Sequence, residues 1–342
     1  MNILVACDCF VRPHMLGQIK ELEKYGNQIT IFDNPELSDV DSVTDCMLRT
    51  ELNGAEAVDA NEEFVKLAER ADIIVVHITP VGRKVIEAAS KLKLVAVMRG
   101  GCDSVNVELL HKKKITVVNA PWRSSYAVAD FTVGMMISEV KNIAKSHHLL
   151  MEGKWEKRYP NSDHYIDMRN RTIGLIGFGY IGRLVAENLS GFGSNVIVHD
   201  PFMKDEQVKD LGGSPVSLEK LLEEADIVSL HLRYSDRTKH FLGKEQFEMM
   251  KPTATLVNTA RAGLVDQEAL VNALESHQIL GAAVDVFSQE PLPKDNPYRK
   301  LDNITITPHI AGTSRDTMSN AVEIVSEDLH RYFEKTPLKC EV

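Results

Sequence analysis

Thr172-Ile-Gly-Leu-Ile-Gly177-Phe-Gly179-Tyr-Ile-Gly182 is an apolar run that ends in a G-x-G-x-x-G turn, and Asn195-Val-Ile-Val-His-Asp200 is a second apolar run that ends in an acid. Each glycine has its own reason to be there. Gly177 permits the tight turn, Gly179 lets backbone amides approach a pyrophosphate, and Gly182 lets the next helix pack closely on the strand. Residues 184–189 supply that helix, whose N-terminus would face the phosphates. Asp200, at the end of the following strand, is placed to accept hydrogen bonds from an adenosine ribose. A glycine-rich turn alone is a weak signal. With a strand before it, a helix after it and the acid beyond, the stretch reads as a dinucleotide site. Asp200 would repel a 2′-phosphate, and Pro201-Phe202 offer no cation (Lys204 is the nearest), so NAD is expected rather than NADP.

Bulk properties narrow the classes around this site. The 342 residues suggest two domains, and 44% hydrophobic with 26% charged residues is ordinary for a globular chain. A formal charge of −10 argues against a nucleic-acid partner, and Lys112-Lys113-Lys114 reads as the solvated end of a helix. No apolar run reaches the roughly 18 residues of a membrane span. The start, Met1-Asn-Ile-Leu-Val-Ala, reads as a strand and lacks the basic opening of a signal peptide. Cys7 and Cys9 alternate along a strand while Cys46, Cys102 and Cys340 are isolated, so neither a disulfide framework nor a metal site is expected. Reduced thiols fit a cytoplasmic protein.

Strand and helix patterns alternate from end to end, which implies parallel sheets with crossover helices. The first unit offers strands at 3–7, 28–32, 73–78, 94–98 and 116–119, with helices at 14–24, 62–70, 81–92 and 107–113. This is a flavodoxin-like unit with no glycine motif of its own. Ala120-Pro121 interrupts the pattern, a helical segment spans 124–151, and a polar stretch covers 152–171. The second unit has strands at 173–176, 196–199, 227–230, 254–258, 281–286 and 304–307. Ser217 and Asp266 would cap helices 218–224 and 267–275, and a last helix covers 317–333. Polar residues therefore collect where the strands end, the edge at which open α/β sheets bind ligands.

Three signals at that edge are weak singly and strong together. Arg261, in Asn258-Thr-Ala-Arg261-Ala-Gly, can hold a carboxylate bidentately, although such an arginine also serves as a helix cap. Asp285 and Glu290 lie just beyond a strand, where a glutamate before proline is usually a loop acid. His309, in Thr307-Pro-His309-Ile-Ala-Gly312, is one of 12 histidines, most of which are structural or exposed. Reduction of a keto acid by hydride needs a cation for the carboxylate and a proton donor active near neutrality, which suits a histidine paired with a carboxylate. The ordered set Arg261, Glu290, His309 supplies each once.

With these motifs the chain resembles the D-isomer-specific 2-hydroxyacid dehydrogenase family, and within it the phosphoglycerate dehydrogenases in a short form. The likeness also runs through Ser229-Leu-His231, Met250-Lys-Pro252, Arg99-Gly-Gly-Cys-Asp103-Ser-Val-Asn and Ala127-Val-Ala-Asp-Phe131. It implies two Rossmann/flavodoxin-like doubly wound parallel-sheet domains with the active site in the cleft between them. Residues 1–119 with 312–342 would form the substrate domain, and 120–311 the NAD domain. Arg261 would take the substrate carboxylate and carbonyl, His309 would be the acid/base, and Glu290 would orient it and favour its protonated form. Asp285 would meet the nicotinamide carboxamide, and Tyr180, Ile181, Pro201, His231, Leu232, Thr238, Thr259, Ala260 and Gly312 would complete the cofactor contacts. The amides of Arg99, Gly100 and Gly101 would meet the substrate carboxylate.

The chain departs from the pattern in two places. His231-Leu-Arg233 stands where many members have a His-x-Pro turn, and Arg99-Gly-Gly replaces a neutral glycine loop. If Arg99, Arg123 or Arg233 reaches the cleft, burying it without an anion would be costly. The expected substrate is therefore a polar or phosphorylated 2-hydroxy acid, such as 3-phosphoglycerate or a sugar acid. A glyoxylate or hydroxypyruvate reductase is the alternative enzyme. Glu290 disfavours a formate dehydrogenase, in which an amide stands at that place, and a dinucleotide-sensing co-regulator is the alternative outside catalysis. The chain stops one helix after His309, so no C-terminal regulatory domain is expected. The apolar residues Val128, Phe131, Val133, Met135, Met136 and Ile137 in 124–151 call for burial, about half of which their own domain could supply, and the resemblance implies a homodimer built on the cofactor domain.

Overall fold

The computed structural model describes residues 1–159, 161–164 and 167–342; Pro160, Tyr165 and Ile166, inside the polar stretch 152–171, lie outside the described residues. The chain divides into two compact units, residues 1–124 with 314–342 and residues 125–313. The breaks lie at 124/125 and 313/314 rather than at the expected 119/120 and 311/312. Residues 120–124 stay with the first unit because the Ala120 amide donates to the Arg99 carbonyl (2.8 Å) and Asn320 Nδ2 donates to the Arg123 carbonyl (3.2 Å).

The first unit is a parallel sheet of β1 (Asn2–Cys7), β2 (Gln28–Asp33), β3 (Ile73–Val76), β4 (Leu94–Val97) and β5 (Thr116–Val118), in the order β2-β1-β3-β4-β5. β3 and β4 are buried throughout, as continuous apolar runs must be when helices cover both faces. One face packs Phe64, Val85 and Leu110. The other packs Leu16, Ile19 and Leu22 with Val322, Val325 and Leu329 of the last helix, Asp316–Glu334.

The expected helix at 14–24 is instead two 3₁₀ turns, Pro13–Met15 and Glu21–Tyr25, around a short helix, Gly17–Lys20. Its buried residues recur every third position, which is the period of a 3₁₀ helix rather than an α-helix. A helix not read from the sequence, Val40–Asn53, is capped by Asp39, whose side chain accepts from the Ser42 amide at 2.9 Å. It buries only Val43, Cys46 and Thr50, too sparse a stripe to stand out.

The second unit has seven parallel strands: β6 (Thr172–Ile176), β7 (Asn195–His199), β8 (Ser214–Pro215), β9 (Ile227–Leu230), β10 (Thr255–Asn258), β11 (Gly281–Val284) and β12 (Ile304–Ile306), in the order β12-β11-β10-β9-β6-β7-β8. The order reverses at β6, which pairs with β7 on one side and β9 on the other. Ligands of such sheets bind at this switch point. The single long segment expected at 124–151 is two helices, Ser125–Val140 and Ile143–Met151, separated by Asn142 at φ 53. Asn tolerates that left-handed conformation where most residues do not. The first helix buries Ala129, Val133, Met136 and Val140 against the sheet. The second has no buried residue. Among the described residues no helix is long and apolar enough to cross a membrane.

Candidate functional site

The glycine turn is enforced by backbone contacts. Gly177 has φ +93, and a Cβ there would lie 2.8 Å from the His231 carbonyl oxygen. A Cβ on Gly182 would lie 2.5 Å from the Gly177 carbonyl oxygen, so neither position accepts a side chain without moving main chain. Around Gly179 nothing lies within 4 Å of a Cβ. Gly179 also precedes the helix Tyr180–Ser190, whose first amides have no acceptor inside the helix. An open approach facing unpaired N–H groups is what a pyrophosphate requires, and the turn fits a dinucleotide.

Asp200 is fixed more firmly than its sequence position suggested. Its Oδ2 accepts from the Phe178 amide inside the glycine turn at 2.7 Å, and its Oδ1 accepts from the Phe202 amide at 2.9 Å. The carboxylate therefore braces the turn and keeps lone pairs for a further donor. Pro201, Phe202 and Lys204 are exposed. Tyr180 meets Tyr126 edge-on at 6.4 Å, and Ile181 packs against the core behind the turn.

At the ends of β10, β11 and β12 the other predicted residues come together. His309 Nδ1 lies 3.0 and 2.8 Å from the two oxygens of Glu290. A carboxylate only accepts, so Nδ1 carries the proton and Nε2 is left for another partner. Glu290 also accepts from the Phe287 amide at 3.0 Å. Burial alone would raise the Glu290 carboxyl, but these hydrogen bonds and the charges of His309 and Arg261 hold it below the usual carboxylate range. Arg261 thus acts electrostatically on the same carboxylate. Its side chain is exposed, and its Nη1 donates to the Ala260 carbonyl at 2.7 Å.

Asp285 has a role that sequence reasoning missed. It is fully buried, and it accepts from the Thr307 hydroxyl (2.5 Å) and the amides of Ile310 (3.0 Å) and Ala311 (2.8 Å). These donors bracket His309, which sits at φ 54. Asp285 is the clamp of the histidine loop. Asn258 does the same for Arg261: its Oδ1 accepts from the Ala260 amide and its Nδ2 donates to the Arg261 carbonyl, both at 3.0 Å. The signal available in the sequence was an amide side chain at a strand end followed by a turn.

The remaining cofactor candidates line the same edge. Thr259 is buried against the hydroxyl of Thr132 at 2.6 Å. His231 Nε2 lies 3.0 Å from the Ser229 hydroxyl, and burial pushes its imidazolium down to about 4, so the ring is neutral. Leu232 packs beside Gly177. The Thr238 hydroxyl is taken up by its own turn, donating to the Arg233 carbonyl at 2.8 Å, while Arg233 is exposed. Gly312 is half-buried in the loop after His309. Among the described residues no cluster of His, Cys, Asp and Glu could hold a metal ion.

The predicted substrate residues belong to the first unit. Arg99 is buried, and its Nη2 pairs with Glu51 at 3.0 Å. Gly100 and Gly101 are exposed, and Asn119 Nδ2 holds the Gly100 carbonyl at 2.8 Å. Arg123 is half-buried with its Nη1 3.6 Å from Met318 Sδ. Burial, with the Arg99 charge adding to it, pushes its guanidinium down to about 10.

Residues 133–311 match the NAD binding domain of the D-isomer specific 2-hydroxyacid dehydrogenases. Glyoxylate reductase of Korarchaeum cryptofilum is 38% identical over 276 residues, covering 80% of this chain and 83% of that protein. D-3-phosphoglycerate dehydrogenase of Methanocaldococcus jannaschii is 39% identical over 273 residues, which is 79% of this chain and 51% of that one. The chain thus spans about half the length of the phosphoglycerate dehydrogenase it matches. Among solved structures, the NAD-complexed D-isomer specific 2-hydroxyacid dehydrogenase of Lactobacillus delbrueckii ssp. bulgaricus superposes with a TM-score of 0.76 at 25% identity, covering 100% of both chains.

Proposed function

This chain belongs to the D-isomer specific 2-hydroxyacid dehydrogenase family and is an NAD-dependent oxidoreductase, and from that premise we propose that it interconverts a D-2-hydroxy acid bearing a second polar or anionic group with its 2-keto acid. The observation that carries the chemistry is the His309–Glu290 pair, with Arg261 acting on the same carboxylate. When bound, the nicotinamide donates or accepts the hydride at C2. Arg261 holds the substrate carboxylate, since a guanidinium fork matches a carboxylate bidentately. As the keto acid is reduced, His309 Nε2–H gives its proton to the oxyanion forming at C2, and takes it back in the reverse direction. Glu290 holds Nδ1–H throughout, fixing the ring and balancing the imidazolium. Asp285 and Asn258 position the two loops.

Arg99, Gly100, Gly101 and Arg123 are the proposed substrate-binding residues. Two neighbouring cations favour a phosphorylated acid such as 3-phosphoglycerate, or a sugar acid. A glyoxylate or hydroxypyruvate reductase is the second reading, favoured by the glyoxylate reductase that this chain matches over 83% of its length. With NADH, the keto acids phosphohydroxypyruvate, hydroxypyruvate, tetronate-type acids, glyoxylate and pyruvate should separate them. The highest kcat/KM for pyruvate or a branched apolar acid refutes the polar-substrate reading.

The protein should be a homodimer. Helix Ile143–Met151 exposes Ile143, Leu150 and Met151, an apolar face left uncovered among the described residues of its own unit. A cytoplasmic location is supported by five free thiols, three of them buried.

A further inference from the structure

Asp8 directly follows β1, His77 follows β3, Arg99 follows β4, and Arg123 follows β5. Since β1, β3 and β4 are successive neighbours, Asp8, His77 and Arg99 lie along the carboxyl edge of the five-stranded sheet, and Arg123 lies in the loop that follows β5, where its charge acts on His77. Asp8 and His77 are almost wholly buried, at 1% and 2% exposure, and His77 Nδ1 donates to Asp8 Oδ2 at 2.8 Å. The other oxygen, Asp8 Oδ1, accepts from the amides of Phe10 (2.9 Å) and Val11 (3.0 Å). Burial alone would raise the Asp8 carboxyl; the His77 bond and these amides outweigh it and keep it ionised. The ring is therefore locked with Nδ1–H on Asp8, and no described residue bonds Nε2. That nitrogen is therefore left for a ligand.

Beside it stand two cations. Arg99 has Glu51, but Arg123 has no carboxylate partner among the described residues. Burial pushes the His77 imidazolium down from its ordinary value, Asp8 opposes this, and the charges of Arg123 and Arg99 add to it. The ring is thus neutral while no anion is present.

We propose that His77, positioned by Asp8, joins Arg99 and Arg123 as a subsite for the second anionic group of the substrate, a phosphate monoester or a carboxylate. An anion there meets the Arg123 fork bidentately and reverses the local field at Nε2. The imidazole then takes up a proton and donates to it. The inference deepens the polar-substrate reading above and rests on it for the identity of the anion's carrier.

The experiment has two arms on the full chain. In the first, the imidazole nitrogens are followed by NMR, with the His77 signals assigned by their loss in His77→Gln, while inorganic phosphate is added without substrate. The expected result is a saturable shift of His77 toward imidazolium, absent in Arg123→Met and weakened in Arg123→Lys. No shift, or the same shift in Arg123→Met, overturns the proposal. In the second arm, kcat/KM for phosphohydroxypyruvate is divided by that for hydroxypyruvate, which lacks only the phosphate. This ratio should fall about 10–100-fold in Arg123→Met, the loss of a charge-assisted contact, and less in Arg123→Lys. A His77 shift with an unchanged ratio overturns the assignment to the substrate. If the wild type prefers uncharged keto acids yet phosphate still moves His77, the substrate reading has failed while the anion site itself stands. Should Arg123→Met not fold, Arg123→Lys carries the first arm, and Arg123→Lys with His77→Gln the second.

Discussion

Replacing Asp285 by Asn tests whether this carboxylate serves the protein or the cofactor. Asp285 is fully buried and answers three donors, two on Oδ1 (Thr307 hydroxyl, Ile310 amide) and one on Oδ2 (Ala311 amide). In the most favourable rotamer, the Asn oxygen keeps the first two and its NH2 group confronts the Ala311 N–H. One charge-assisted hydrogen bond is then lost and one buried amide is left unpaired, a cost of about 2–3 kcal/mol. At about 2–4 °C per kcal/mol for a unit of this size, Tm should fall by roughly 5–10 °C. The bracketed residue is His309, so its ring should also lose its position, and misplacement by about 1 Å costs on the order of 100-fold in rate. Thr307→Val removes one donor and leaves both amides satisfied, so it should cost only about 1 kcal/mol. Calorimetry and steady-state kinetics with varied NADH read all of this. A variant with wild-type Tm and kcat but a raised KM for NADH would refute the clamp, and return Asp285 to contact with the nicotinamide carboxamide.

Further outcomes are expected. His309→Ala should lower kcat by about 10²–10⁴-fold, and Glu290→Gln should move the pH profile of reduction to lower pH, both measured with the best keto acid. NADH should exceed NADPH in kcat/KM, and Asp200→Ala should narrow that gap while lowering stability, because the Phe178 and Phe202 amides lose their acceptor. His231 is half-buried and neutral, desolvation pushing its imidazolium down to about 4, whereas in the unfolded chain it protonates below about 6.5. Its contribution is therefore fully present above pH 6.5 and is lost as pH falls toward 4, at most about 3 kcal/mol, so His231→Gln should flatten the fall in Tm over that interval. Light scattering at micromolar concentration should give a dimer, and Ile143→Glu should shift it toward monomer.

The parts of this molecule that were legible in the sequence are those where one residue type answers one physical demand. Gly177 and Gly182 are required by backbone approaches of 2.8 and 2.5 Å, and no other residue fits, so the turn announces itself. The buried strands show as unbroken apolar runs for the same reason. The unread parts are those where a polar side chain satisfies its own backbone. Asp285, Asn258 and Asp200 each brace a loop through main-chain amides or carbonyls, and their sequence signal is no different from that of any polar residue at a strand end. Helix Val40–Asn53 escaped because its buried stripe is three residues in fourteen positions, and the segment 14–24 misled because an apolar period of three is easily taken for one of 3.6. The Asp8–His77 pair escaped on a different ground. Its members are 69 positions apart, and only the order β1-β3 in the sheet makes them neighbours. Chemistry that depends on strand order is invisible to motif reading. A parallel sheet, which sets distant strand ends side by side at one edge, is therefore where a search for unread polar groups should begin.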